Sequence, residues 1–470
     1  MKTKKISRAN KKKKSADHPV VAICEANSAG IDIGAQAIYV AVPPDRAPQQ
    51  PVRCYGTFTA DLISAIGWLK ECGIESVAME STGVYWVGLY QLLNDHGLKV
   101  CLVNARHVKN VPGRKSDVSD SQWLQYLHSV GLLRGSYRPP QAICALRSLY
   151  RHRQNLLQFG AQHIQHMQAA MEQMNLKLAH VIDDITGVTG MRIIEAILSG
   201  ERDREQLAKL RDRRVKASQA TVAKALQGDW RAEHLFVLEQ ALSSWKQVQQ
   251  QIALCDGELQ KLAQQLESKI DLSQAPLAPS TKPNAKSKAK NEPIGPWREE
   301  QYRIFGVDLT AVPAINVATV QTLLVEVGPD WSAFKTAAHF SSWLGLCPDN
   351  KITGGKVFRR STRRIAHRVS TALRLAASSL HKSQTLFGHR YRRLRSRLGA
   401  PKAITAMAHQ LARVLWHLVT YKTPYDESIF ARAEHSHSLL KTRQLKHLAD
   451  SLGFALVPMT SDATLQGEVP

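Results

Sequence analysis

Four carboxylates, Asp32, Glu80, Asp117 and Asp120, fall in the first third of the 470-residue chain, each at the edge of an apolar run. Carboxylates gathered on one scaffold repel each other unless a cation sits among them, and oxygen ligands of this kind suit Mg2+. A site so built activates a nucleophile or stabilises a leaving oxygen in phosphoryl transfer. Asp32 lies in GIDIG, whose small flanking glycines let backbone and phosphate approach closely, and Glu80 closes the run ESVAME. Asp117 and Asp120, in RKSDVSDSQ, are three residues apart, a spacing that puts both on one helical face. Taken singly, each acid has a plainer reading. Asp32 is then a turn residue, Glu80 a surface acid, and Asp117 and Asp120 are acids favoured by a helix dipole.

A second constellation is NKITGGKVFRRSTRR, residues 350–364. Gly354 and Gly355 can turn backbone N–H groups outward, Lys356 can reach a phosphate, and Thr353 brings a hydroxyl beside them. On spacing alone TGGK is weak evidence, and a tight polar turn explains it better. Its setting is more telling, because no Asp or Glu occurs from Lys351 to Tyr425, while Arg359, Arg360, Arg363, Arg364 and Arg368 lead a long arginine series. A stretch so uncompensated that keeps an apolar helical face is expected along a nucleic-acid backbone. The whole chain agrees: 63 Lys and Arg against 39 Asp and Glu give a formal charge of +24, and the partner is a polyanion. His163 and His166 lack acidic or cysteine neighbours and read as surface residues. Trp86, Trp331 and Trp343 read as core rather than as base-stacking platforms.

The elements that must position these groups follow from periodicity. Residues 1–19 form a basic arm without the apolar stretch of a secretory signal. Residues 20–150 read as α/β: a hairpin from Ser28 to Val42 turning at Gly34, a helix from Thr59 to Glu71, a strand from Glu75 to Glu80, a helix from Val84 to His96 and a strand from Lys99 to Val103. Residues 151–270 are helical, with seams stepping by three and four from Ile164 through Met171 to Ile185, and from Leu238 through Ile252 to Leu266. The spacing predicts two long helices, antiparallel to each other or paired across a dimer as coiled coils, or an ordinary bundle core. Between them Gly200–Arg214 reads as a solvated elbow or an added short helix. Residues 271–296, rich in Pro, Ser, Ala and Lys, predict a flexible linker; 297–425 return to helical periodicity, and 426–470 read as a helix and a polar tail. No apolar run approaches the ~18 residues of a membrane span. The seven scattered cysteines point away from disulfides and zinc, toward a reducing cytosol.

With these blocks in view, the chain resembles a known family. GIDIG, VAMESTGVYW and VNARHVKNVPGRKSDVSDSQW are similar to the N-terminal DEDD domain of insertion-sequence transposases of the one-ten type, the group also named with one-sixteen and nine-oh-two. PAINVATVQTLLVEVG, AHFSSWLGLCPDNKITGGKV and LGAPKAITAMAHQLARVLWHLV are similar to its C-terminal transposase domain. The resemblance implies an α/β plus all-α protein: an RNase H-like (RuvC-like) domain, a helical coiled-coil spacer and a small helical transposase domain. It implies Asp32, Glu80, Asp117 and Asp120 as the Mg2+ tetrad, and a hydroxyl nucleophile directly before the paired glycines that forms a covalent link to DNA. It further implies a structured bridge RNA that selects sites by base pairing, a homo-oligomer, dimer or tetramer, and action in the bacterial cytosol. The family's serine is threonine here, Thr353, whose β-methyl group narrows rotamers and crowds in-line attack. PAINV likewise departs from the glycine-rich hairpin usual at that place.

Three other classes compete with a DNA transposase. A RuvC-like nuclease uses metal-activated water and forms no adduct. A sugar-kinase or actin-like ATPase accounts for GIDIG but gives the arginine series no purpose. A non-catalytic nucleic-acid-binding relic accounts for the threonine.

Overall fold

Alternating Ile, Val and Tyr in Ser28–Ile33 (β1) and Ala37–Ala41 (β2) make an antiparallel hairpin, with Asp32 opposite Tyr39, and Val52–Gly56 (β3) extends it. Thr59–Glu71 (α1), Ser76–Glu80 (β4), Trp86–Asp95 (α2), Lys99–Val103 (β5) and Asp117–Ser129 (α3) follow. The sheet order is β3-β2-β1-β4-β5, with β1, β4 and β5 mutually parallel. One face is dry: Ala29, Ile31, Val77 and Met79 pack with Ile66 and Leu69 of α1 and Leu89 and Leu93 of α2. The computed structural model describes residues 22–104, 117–280, 291–359, 361–363, 365, 367–428 and 442–455. The basic arm and residues 105–116 lie outside them.

The chain divides into two compact units, Met1–Arg138 and Pro139–Pro470. The second is built on Gln141–Gln173 (α4) and, after Leu178–Val181 (α5), Val188–Leu198 (α6), Arg204–Lys209 (α7) and Gln219–Ala225 (α8), on Ala232–Gln264 (α9). α4 and α9 run antiparallel: Arg153 pairs with Asp256, Gly160 lies against Val248, and Met167 shares a core with Leu238. The first seam was expected to continue as one helix to Ile185, but α4 stops at Gln173. Asn175 turns left-handed (φ 54°), and Leu176 N–H closes onto Met171 O at 2.8 Å. Leu178 and Ile185 are nevertheless buried in the core that holds Met167, Met171 and Met174. The period reported burial against one core, which a chain folding back over that core preserves through a helix stop.

The expected linker is tied down at both described ends. Arg298 Nη2 donates to Ala278 O at 2.9 Å, and Asp256 Oδ2 accepts from Ile294 N–H at 3.1 Å. Beyond it come Trp297–Phe305 (α10), Val317–Val327 (α11), Ala337–Trp343 (α12), the strands Lys351–Thr353 (β6) and Lys356–Arg359 (β7), Arg368–Ser379 (α13), Leu386–Leu398 (α14) and Ala400–Tyr421 (α15). Asn316, Thr336 and Thr385 start α11, α12 and α14 by accepting backbone N–H groups of the first turn. At the centre Trp331 stacks on Phe340 and Phe334 meets Phe340 edge-on, and Trp416 of α15 donates to Phe334 O at 3.0 Å. Residues 442–451 form one more helix. Among the described residues no helix is long and apolar enough to cross a membrane, and the seven cysteines are free.

Candidate functional site

The acids of the first unit are positioned by strand register. β1 and β4 pair Gly30 with Ala78 and Ile31 with Met79, so the next level sets Asp32 beside Glu80. Neighbouring parallel strands lie about 4.8 Å apart, and in-register residues leave the sheet on the same face. Because Ile31 and Met79 point into the dry core, Asp32 and Glu80 point to the opposite face, which α3 covers. Both are half-buried, and Thr82 Oγ1 donates to Glu80 Oε1 at 2.8 Å.

Gly30 fixes how α3 lies. A Cβ there would stand 2.3 Å from Ser121 O and 2.3 Å from Gln125 N, so backbone meets backbone. Gln125 Nε2 donates to Ser28 O at 3.3 Å, and His128 Nε2 lies 2.9 Å from Ser76 Oγ, both at strand starts. Burial lowers the pKa of His128, which keeps the ring neutral in that contact. Later residues of α3 thus sit at the strand starts, and its first turn, with Asp117 and Asp120, sits at the strand ends with Asp32 and Glu80. The positive end of the helix dipole lies at the strand ends, where it favours acidic side chains. The glycine that was expected to admit a phosphate admits a helix instead. Among the described residues no three His, Cys, Asp or Glu side chains converge as a metal-holding group; the Asp117 side chain lies outside them.

In the second unit, β6 and β7 pair Thr353 with Lys356 across a two-residue turn. Gly354 (φ 56°) and Gly355 (φ 75°) are both left-handed, the signature of a type I′ hairpin turn. An added Cβ at either would meet nothing within 4 Å, so the turn projects from its surroundings. Thr353 and Lys356 are exposed, as are Ile352 (63%) and Phe358 (83%). The base is held by Asp349 N–H to Ser361 O at 2.6 Å, and Arg363 Nη2 donates to Ser342 Oγ at 2.5 Å. Arg359 lies in β7, and Arg360 and Arg364 lie outside the described residues. Arg368 stands 3.8 Å from Glu326.

Glu326 is the residue that sequence reasoning missed. Its carboxylate, 7% exposed, accepts two bonds from Arg151 at 3.0 and 2.7 Å and lies 3.5 Å from Arg147. Arg147 also donates to Val325 O and Glu326 O, closing the C-terminal end of α11. Beside this cluster His367 packs edge-on to Trp343 at 4.3 Å, and burial drives its pKa down to about 4. The stretch from Lys351 to Tyr425 is therefore compensated at its root by an acid from outside it. A glutamate as the one charged residue of VATVQTLLVEV was the available signal.

Two family models match the chain. Residues 29–176 match the DEDD model of the IS110 group, described as a transposase, and residues 308–392 match the model described as the IS116/IS110/IS902 transposase family. Over 128 residues the chain is 31% identical to the "Insertion element IS110 uncharacterized 43.6 kDa protein" of Streptomyces coelicolor, covering 27% of this chain and 31% of that one. Over 132 residues it is 30% identical to the "Putative transposase y4pF/y4sB" of Sinorhizobium fredii, covering 26% and 32%. The chain spans about a third of the length of these curated relatives.

Proposed function

This chain belongs to the IS116/IS110/IS902 transposase family, and from that premise we propose that it is a DNA transposase that cuts and rejoins strands through a covalent intermediate on Thr353. The observation that carries the reading is the register that sets Asp32 level with Glu80 at the strand ends, where the first turn of α3 brings Asp117 and Asp120. A strand order with β1 to β3 antiparallel and β4 and β5 parallel to β1 supports an RNase H-like (RuvC-like) assignment. The donor chemistry fits Mg2+, since all four groups are carboxylates. Asp32, Glu80, Asp117 and Asp120 would hold it, and Mg2+ when bound supplies electrostatic stabilisation to oxygens that gain charge as a phosphodiester breaks.

The hairpin does the rest. The Thr353 Oγ1–phosphorus bond forms as one phosphorus–oxygen bond of the DNA strand breaks; the threonine proton leaves to solvent, and the departing DNA oxygen takes up another. The reverse step, with an incoming strand's hydroxyl, regenerates threonine and rejoins DNA. Lys356, opposite Thr353, and the exposed Arg363 stand where phosphates approach. Arg359, Arg360, Arg364 and Arg368 extend that contact. A structured bridge RNA chooses the sites by pairing, and the protein works as a homo-oligomer in the bacterial cytosol. Exposed Phe159, Phe236 and Leu254 on α4 and α9 support assembly through that helix pair.

The test is a denaturant-stable protein–DNA adduct on a nicked element-end substrate. It is expected with the wild type and with Thr353→Ser, and lost in Thr353→Ala and Asp32→Asn. The β-methyl of threonine favours one second reading, a metal-dependent nuclease with water as nucleophile. Strand cleavage persisting in Thr353→Ala without any adduct would establish that reading instead.

A further inference from the structure

A groove of about 1680 Å³ runs through the second unit beside the hairpin. One wall is the outward face of α15, where Lys402, His409, Arg413 and His417 recur at helical spacing while Met407, Leu411 and Leu415 are buried behind them. At 1.5 Å per residue, Lys402 to Arg413 covers about 16 Å. The facing ridge is α14, with Arg390, Leu394 and Leu398 one turn apart. Val357 of β7, with Asn350 and Ser361 at the hairpin base, completes the edge, and Tyr421, 56% exposed, stands at the far end.

The lining combines an apolar floor with a cationic rim, and Asp426 is the one acid among the described residues that line it. Burial and neighbouring Arg413 lower the pKa of His409, which enters as a neutral ring. The His417 and Tyr421 rings lie 4.5 Å apart at a tilt. Such a lining suits an anion with flat apolar faces. Duplex DNA presents sugars, phosphates and base edges but keeps its base faces stacked, and would leave the floor unmatched, whereas an unpaired strand offers base faces to stack and phosphates to the rim. An amphipathic helix such as residues 442–451 brings Leu445 and Leu448 but also Arg443 and Lys446, which the rim repels.

We propose that this groove receives unpaired DNA, with bases on the floor of Leu394, Leu398 and Val414 and phosphates along Arg390, Lys402 and Arg413. The inference rests on the transposase reading, because the strand next to the Thr353 hairpin is the one that opens when DNA is cut. The groove then holds the displaced strand near the nucleophile.

Fluorescence anisotropy of the full chain tests this with one labelled sequence as single-stranded DNA, as duplex and as RNA. Lys402→Ala with Arg413→Ala, and separately Tyr421→Ala, are expected to weaken single-stranded DNA about tenfold, in line with one or two lost contacts. Duplex affinity should stay within twofold. Arg395→Ala with Arg397→Ala, on α14 outside the groove, should lower single-strand affinity much less. Equal loss on duplex, or equal loss from Arg395 and Arg397, overturns the proposal as general charge attraction, and tighter binding of RNA than DNA overturns the choice of strand. Thr353→Ala separates the two readings. It should lose the adduct and keep single-strand affinity. An adduct in the wild type with unaltered binding in the groove variants sinks the groove alone; weakened binding in those variants with no wild-type adduct sinks the covalent reading alone.

Discussion

The acid layer of the first unit and the hairpin of the second both depend on glycine, for opposite reasons. Gly30 is needed for space, because helix backbone occupies the volume of its missing Cβ. Gly354 and Gly355 are needed for their dihedral angles, because nothing lies near them. Under the proposed function, chemistry that needs several fixed ligands is built into packing, and chemistry that must meet an incoming strand is held out on a turn. The hairpin's precision therefore rests on its root: the base, where Asp349 N–H meets Ser361 O and Arg363 meets Ser342, and the start of α13 just beyond it, where Glu326, His367 and three arginines meet.

The comparison breaks first at that root. Glu326→Ala leaves Arg147 and Arg151 facing each other without their carboxylate, and a loss of about 3 kcal/mol is expected in urea unfolding, at the low end of buried pairs because Arg151 is half exposed. An unchanged midpoint would mean that the root carries no load. Next comes pH. The folded pKa of His367 is about 4 against an ordinary 6.5, so the unfolded chain binds the extra proton as pH falls through that window, and stability is lost on acidification. By pH 5 the wild type should lose about 2 kcal/mol more than His367→Phe, measured as the difference between their unfolding free energies at pH 7 and pH 5.

The two kinds of glycine can then be set against each other. Gly30→Ala forces α3 off β1 and should cost about 2 kcal/mol, with weaker hydrogen-exchange protection across residues 117–129. Protection equal to the wild type would contradict the close approach. Gly354→Ala meets no clash and should cost about 1 kcal/mol through φ alone, with Gly354→Asn nearly neutral because asparagine tolerates the left-handed region. Should Gly354→Ala cost more than Gly30→Ala, the contrast is reversed.

Much of this was legible in the residues. The helix Thr59–Glu71 and the strand Lys99–Val103 have the bounds that periodicity predicts, and Ser76–Glu80 begins one residue late. Less visible were β3, where VRCYG carries little alternation, and the strands of the Thr353 hairpin, which are three and four residues long. Strands so short give no period to read. The break at Asn175 was hidden because the buried positions on either side of it serve one core.

What the residues dictate alone is local: residue types, the hydroxyl before two glycines, the arginine excess, and helices whose period is written within a few turns. Tertiary structure alone decided which distant groups meet. It set Asp32 level with Glu80 across 48 positions, gave Glu326 to arginines 175 and 179 positions away, and lined one groove with α14, α15 and the hairpin. The reason is physical. Local preferences act over a turn or a strand pair, whereas these meetings are selected by burying sheet and helix faces against each other, after the entropy of closing long loops has been overcome.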